Sequence, residues 1–373
     1  MMSFNASVNN MEDDRVIRSY RKGDEHAISR LYNLCFSESG VLFPRSPESW
    51  IWRYANRPRF DPDSVFLVED SGRLVAALVM TYGDMSVNGD SMPVAMIDDV
   101  STHPDHRKRG LAAMLVQRAV DRAKDRGCRL VHLTTGTSGT AFRIYHRAGF
   151  RTVTTCDVMF SVLHGREGAG IAGPVLSLPI MAAHLILNMR ARKGGDNTVR
   201  LDQVVEEDAS VQFLATHQKL SQRNGLLVVG RDYGRWLIGP RPLGNTALFA
   251  IKRLGDELGA MTVSSLHTVF HGRPAKIAST MNPLIRGEWR NVDTVAAALK
   301  RAGQFSAVRL GCAAATLLTD SRDTVAKKAS QQAGFLRVGS TASMVHPLGE
   351  PSRIGELRKR LWAQPLETAK SAP

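Results

Sequence analysis

Three stretches of this chain recur at one spacing. WRYANRP at 52–58 is matched by WLIGPRP at 236–242 at tryptophan, arginine and proline. GRLVAALVM at 72–80 is matched by GDELGAMTV at 255–263, and AGFRTVTTCDVM at 148–159 by AGFLRVGSTASM at 333–344 without a gap. The offsets all fall between 183 and 185 residues. A shared offset over three separated stretches reads as a tandem duplication, so the 373 residues divide into two copies of one unit. The expected boundaries are 13–163 for the first copy, 164–199 for an apolar linker, 200–350 for the second copy and 351–373 for a basic tail.

Within the first copy, strand-like segments fall at about 15–19, 64–69, 73–81, 92–101, 128–134 and 151–163. Helical periodicity falls at about 24–36, 47–55, 109–126 and 139–147. Asp24 stands where an N-cap belongs. EDSGR at 69–73 and NGD at 88–90 read as hairpin turns, since glycine supplies the positive φ such turns need. Hairpins followed by strand–helix–strand predict a mixed sheet, antiparallel first and parallel later. The fold class is therefore α/β (α+β), each copy a mixed, mostly antiparallel twisted sheet flanked by helices.

The stretch DDVSTHPDHRKRGLAAMLVQ at 98–117 carries the chemistry. An apolar strand leads into it, and an amphipathic helix leads out, with Leu111, Met114, Leu115, Ala119 and Val120 at helical spacing. Arg107, Gly110 and Ala112 fit R/Q-x-x-G-x-G/A. The cation lies over a phosphate, the glycine admits close approach to backbone, and the small residue leaves the helix start open. Successive N–H groups and the helix dipole then favour a pyrophosphate. With THPDH before it and IYHRAGF about 35 residues later, this pattern resembles the GNAT superfamily of acyl-CoA-dependent N-acetyltransferases, over about residues 13–163.

That resemblance implies acetyl-CoA as cosubstrate and no metal. Main-chain groups of Val100 and Thr102 would pair with the pantetheine arm. Arg107, Lys108, Arg109, Gly110, Leu111 and Ala112 would hold the pyrophosphate, and Tyr145 would protonate the departing thiolate. Asp98 and Asp99 interrupt an apolar strand. Strict alternation sends them to opposite faces, with Asp99 sharing the parity of Ile97 and Ser101. Asp99 would take the amine proton or anchor the acceptor; a carboxylate satisfied by its neighbours is the structural alternative. Trp52, Arg53 and Tyr54 would wall the acceptor pocket or simply pack.

The second copy lacks the glycine turn and has Ser330 where the first has Tyr145, so its chemistry is expected to be lost and its fold kept. A net charge of +14 favours anionic partners. Zinc-finger spacing, aromatic RNA-binding signatures and long basic blocks are missing, which argues against nucleic acid. Four scattered cysteines suit a reducing compartment, and the N-terminus reads as no secretory signal, so a cytoplasmic location is expected. GAGIAG at 168–173 fits G-x-G-x-x-G, but Pro174 follows it and no suitable second strand does. The uncharged stretch at 168–189 is expected to form a helix packed between the copies, with membrane contact through 174–192 as the alternative. The predicted activity is acetyl transfer to a primary amine of a small molecule, possible homodimerisation being left open. Alternatives are a protein N-terminal or lysine acetyltransferase, or a non-catalytic acyl-CoA sensor.

Overall fold

The computed structural model describes residues 15–37, 41–87, 90–163, 196–205, 207–220, 227–228, 230–242, 244–270, 272–280 and 283–348. The expected interdomain helix at 174–192 and the basic tail at 351–373 lie outside the described residues.

The first half runs β1 Arg15–Ser19, α1 Glu25–Phe36, β2 Val41–Leu42, α2 Pro47–Trp50 with a π-helical turn Ile51–Ala55, β3 Val65–Asp70, β4 Arg73–Val87 and β5 Asp90–Thr102. It continues with α3 Leu111–Asp125, β6 Leu130–Gly136, α4 Gly139–Arg147 and β7 Arg151–Val162. The second half runs β8 Val199–Val204, α5 Glu207–Leu220, α6 Arg231–Ile238, β9 Thr246–Arg253, β10 Asp256–Phe270, β11 Arg273–Thr280 and β12 Leu284–Ile285. It ends with α7 Val292–Val308, β13 Ala314–Asp320, α8 Thr324–Gln332 and β14 Leu336–Pro347.

Period-two alternation divides the sheet into two faces. Phe66, Val68, Leu78 and Met80 pack with Leu115 and Ala119 of α3. Val65, Leu67, Ala77 and Val79 pack on the opposite face with Ile28 and Leu31 of α1 and with Trp50 and Tyr54. Asp24 does precede α1, but its side chain does not cap the helix. Its carboxylate accepts instead from Arg18 at 2.6 Å and from the Arg21 N–H at 2.7 Å. The charge-assisted bond to arginine outcompetes the cap.

The strands form one sheet in the order β1-β3-β4-β5-β6-β14-β7-β13-β11-β10-β9-β8. β7 does not return to lie beside β6. The place next to β6 is taken by β14, antiparallel from Thr341↔Gly136 to Pro347↔Leu130. β7 in turn pairs with β13 of the second half, from Ala314↔Val162 to Asp320↔Cys156. Each half thus lends its last strand to the other. β7 and β14 meet antiparallel about the pair Cys156↔Thr341, two residues aligned with each other in the sequence repeat. The contacts are reciprocal elsewhere too: Leu42 pairs with Val269 at one end of β10, and Leu227 bridges Met85 at the corresponding end of β4.

Repeated tryptophans and arginines also meet across this axis. Trp52 stacks on Trp236 at 5.1 Å and 17°, while Arg241 lies over Trp52 at 4.8 Å and Arg57 over Trp236 at 5.2 Å. The Trp236 indole donates to the Trp52 carbonyl at 2.8 Å. Interleaved strands cannot separate one half at a time. Thermal unfolding followed by tryptophan fluorescence and by circular dichroism should give one coincident transition. Trp236→Ala should lower its stability by about 3–5 kcal/mol. Two resolved transitions would contradict this coupling.

Candidate active site

β5 and β6 run parallel for only three residue pairs, Val94↔Leu130, Ala95↔Val131 and Met96↔His132. Beyond them β5 continues to Thr102 and β6 to Gly136 without pairing to each other, so a gap opens between the two strands. The opening coincides with a bulge. Val79 faces Asp98 and Ala77 faces Ser101, leaving Asp99 and Val100 opposite Leu78 alone. Asp99 has φ 45, which costs a non-glycine residue energy and bends the strand. The His103 N–H donates to Val75 O. In an antiparallel ladder this turns the main-chain groups of His103 and Ser101 toward β4, and those of Val100 and Thr102 toward the gap. The Thr102 carbonyl accepts there from the Cys35 thiol at 3.2 Å.

The basic turn follows directly. A single 3-10 turn, Pro104–His106, leads into Arg107, Lys108 at φ 64 and Gly110 at φ 78, all exposed. Gly110 is the N-cap of α3 and brings no capping side chain, so the first N–H groups of the helix, at Leu111 and Ala112 among others, face outward uncapped. The space where a Gly110 side chain would stand is open. An uncapped helix start of this kind suits an anion, and Arg107, Lys108 and Arg109 lie on the turn that leads into it, a candidate cradle.

Tyr145 and Asp99 lie on opposite faces of the sheet. Tyr145 packs in the α3/α4 layer, edge-on to Phe150 at 6.0 Å, and its hydroxyl makes no hydrogen bond among the described residues. Burial pushes its phenol up to about 12, so it stays protonated at ordinary pH. The alternation argument for Asp99 fails. Ile97 joins the α3/α4 layer, but the bulge rotates Asp99 to the α1/α2 face, where Arg45 holds its carboxylate at 3.1 and 3.3 Å. Burial alone would raise the Asp99 carboxyl. Arg45, Arg53 and the Tyr54 hydroxyl overcome it and hold the carboxyl below the usual range. A carboxylate held so is a weak proton acceptor and a strong anchor.

The π-helical turn lets the consecutive side chains Arg53 and Tyr54 both point inward, where Arg53 Nε donates to the Tyr54 hydroxyl at 3.1 Å. Trp52 beside them divides two spaces. One is a cleft of about 780 Å³ between the halves, lined by Asn56, Tyr82, Asp84, Tyr233 and Trp236 among others. The other is a cavity of about 60 Å³ reached by Arg45, Arg53 and Arg241. His132, at the last paired rung before the gap, is fully buried, bonded to Ser343 of β14 at 2.9 Å and pushed down to about 3 by burial, hence neutral. Sequence reasoning missed Arg45, Arg241 and His132. Arg241 alone left a signal, as the repeat mate of Arg57.

Among the described residues, the second half differs at the corresponding places. β11 ends at Thr280, one residue past its last pair with β13, Ser279↔Thr316. α7 is capped by its own Asn291, whose side chain accepts from the Thr294 N–H at 2.9 Å. Ser330, aligned with Tyr145, bonds back to the Ala326 carbonyl at 2.6 Å.

The family model for the acetyltransferase (GNAT) domain matches residues 16–153. An uncharacterized N-acetyltransferase of Methanocaldococcus jannaschii is 28% identical over 144 residues, 38% of this chain and 63% of that protein. The match thus spans a little under two thirds of that relative. An acetyltransferase of Pectobacterium atrosepticum is 28% identical over 153 residues, 40% of this chain and 98% of that protein. Among solved structures, Saccharomyces cerevisiae N-myristoyltransferase with bound myristoyl-CoA superposes with a TM-score of 0.67 at 13% identity, over 89% of this chain and 82% of that one. That likeness is one of fold. The similarity to an acetyltransferase (GNAT) domain thus lies in residues 16–153.

Asp99→Ala would strand the Arg45 charge and should destabilise the protein by about 3–5 kcal/mol at pH 7. Because the folded carboxyl lies below its unfolded value of about 3.9, the contribution is complete above that pH and is lost as pH falls through the folded value. Urea unfolding of wild type and variant should therefore converge in strong acid; a gap independent of pH would contradict the ion pair.

Proposed function

We propose that the first half binds an acyl-CoA, acetyl-CoA first among them, in the gap between β5 and β6, and transfers the acyl group to a primary amine of a small molecule. The observation that carries this reading is the gap itself, bulged at Asp99 and opening onto an uncapped helix start at Gly110. Val100 and Thr102 offer main-chain groups to the pantetheine arm. Arg107, Lys108, Arg109 and the N–H groups of Gly110, Leu111 and Ala112 receive the pyrophosphate.

The acceptor enters from the α1/α2 face, along the cleft shared by the halves. Its neutral nitrogen attacks the thioester carbonyl, the C–N bond forms, the C–S bond breaks, and the sulfur leaves toward the other face, where Tyr145 donates to it. The proton shed by the nitrogen passes to solvent water, and water returns one to Tyr145. Arg45 and Arg53 surround the acceptor side with positive charge, which disfavours an ammonium and favours the free amine. Asp99 is assigned to positioning Arg45. The second half is read as a degenerate copy of the same unit that completes the sheet and walls the cleft.

Calorimetry should return one CoA per chain, and Gly110→Val, which strains a positive-φ site and covers the cradle, should weaken binding about 10–100-fold. Two CoA per chain would refute the degenerate second copy. Tyr145→Phe should lower kcat about 100-fold with the KM for acyl-CoA nearly unchanged. With its phenol near 12, Tyr145 itself should leave no ionisation in the kcat profile between pH 6 and 9. Unchanged turnover would move Tyr145 to the core, and no thioester consumption with any amine would favour an acyl-CoA sensor. Acyl chains longer than acetyl belong in the assay, given the fold likeness to a protein crystallised with myristoyl-CoA.

A further inference from the structure

The arginines around Asp99 narrow the acceptor. Arg45, Arg53 and Arg241 reach one cavity of about 60 Å³ with Phe43, Trp52 and His267, and no acidic side chain is among its described lining residues. Asp99, behind Arg45, is shared: it bonds Arg45 and also draws on Arg53. Arg45 further donates to the Phe43 carbonyl at 3.1 Å. Arg241 comes from the second half. Its Nη2 reaches the Leu237 carbonyl at 3.2 Å and Ser264 Oγ at 3.3 Å, both neutral, and its buried Nε has no hydrogen-bond partner among the described residues. Burial, and then the charge of Arg53, pull Arg241 down to about 10.

Guanidinium groups withdrawn from water with too little negative charge between them are costly, and an arriving anion offsets that cost. The cavity has room for a few heavy atoms and no more. A planar carboxylate suits both that size and the forked donors of arginine. We infer that this cavity receives a carboxylate of the acyl acceptor, which is therefore an amino acid or another amine bearing an acid. The inference rests on the acyltransfer reading above, because only one ion pair separates the cavity from the bulge at the gap. It also gives the second half a direct part in the site. Arg241 and its repeat mate Arg57 each lie over a tryptophan of the other half, but only Arg241 also lines this cavity, while Arg57 is 4% exposed and packed on Tyr233 and Trp236.

The test is calorimetry on the full chain with two acid–amide pairs, N-acetylglycine against N-acetylglycinamide and succinate against succinamide. Each acid should bind at least about 10-fold more tightly than its amide. Arg241→Gln should cut that preference below about 3-fold, and Arg241→Lys should restore part of it. Circular dichroism and a CoA titration serve as folding controls for both variants. Equal binding of acid and amide, no binding of either, an undiminished preference in Arg241→Gln, or tighter binding of inorganic phosphate than of the acids would each overturn the carboxylate site. Loss of CoA binding in the wild type would instead overturn the acyltransfer reading, leaving the acid–amide result to stand by itself.

Discussion

Everything in this molecule hangs on one exchange of strands. β14 lies between β6 and β7, and β7 lies between β14 and β13, so neither half closes its sheet with its own last strand. The lent strand reaches into the partner half's interior: Ala342 and Met344 of β14 join the layer that holds Tyr145, and Ser343 bonds His132 beside the gap. The stack of Trp52 on Trp236, flanked by Arg241 and Arg57, repeats the exchange at side-chain level. Contacts of this reciprocal kind are those of an isologous interface, here within a single chain.

On this symmetric frame the two halves differ in small local choices. A bulge and six further residues of β5 open a gap; β11 carries one residue, Thr280, past its last pair with β13. Gly110 leaves a helix start bare, whereas Asn291 fills the equivalent end of α7 with its own side chain. An N-cap side chain that stabilises a helix by about 1 kcal/mol also occupies the N–H groups an anion would need.

Much of this was legible in the sequence. The strand and helix spans of the first half match the hydrophobic periodicity closely, and the glycine turn at 107–112 lies between strand and helix as its pattern predicts. The exchange was not legible, because AGFRTVTTCDVM and AGFLRVGSTASM are alike and either strand could complete either half. Asp99 does not share the face of Ile97 as strict alternation predicts, because a period of two holds only while the ladder is regular, and a single bulged residue resets it. Arg45 and His132 left no local trace: one acquires its meaning from a carboxylate 54 residues away, the other from a hydroxyl 211 residues away.

The axis through Cys156 and Thr341 has a consequence for what such a chain can become. A dimer joined by exchanged strands depends on protein concentration and must keep both its subunits identical. Fusing the two into one polypeptide replaces association by an intramolecular step, so the assembly survives dilution. It also frees each half to vary alone. One can specialise in the activated donor while the other reshapes the surface the recipient meets, a division of labour closed to identical subunits.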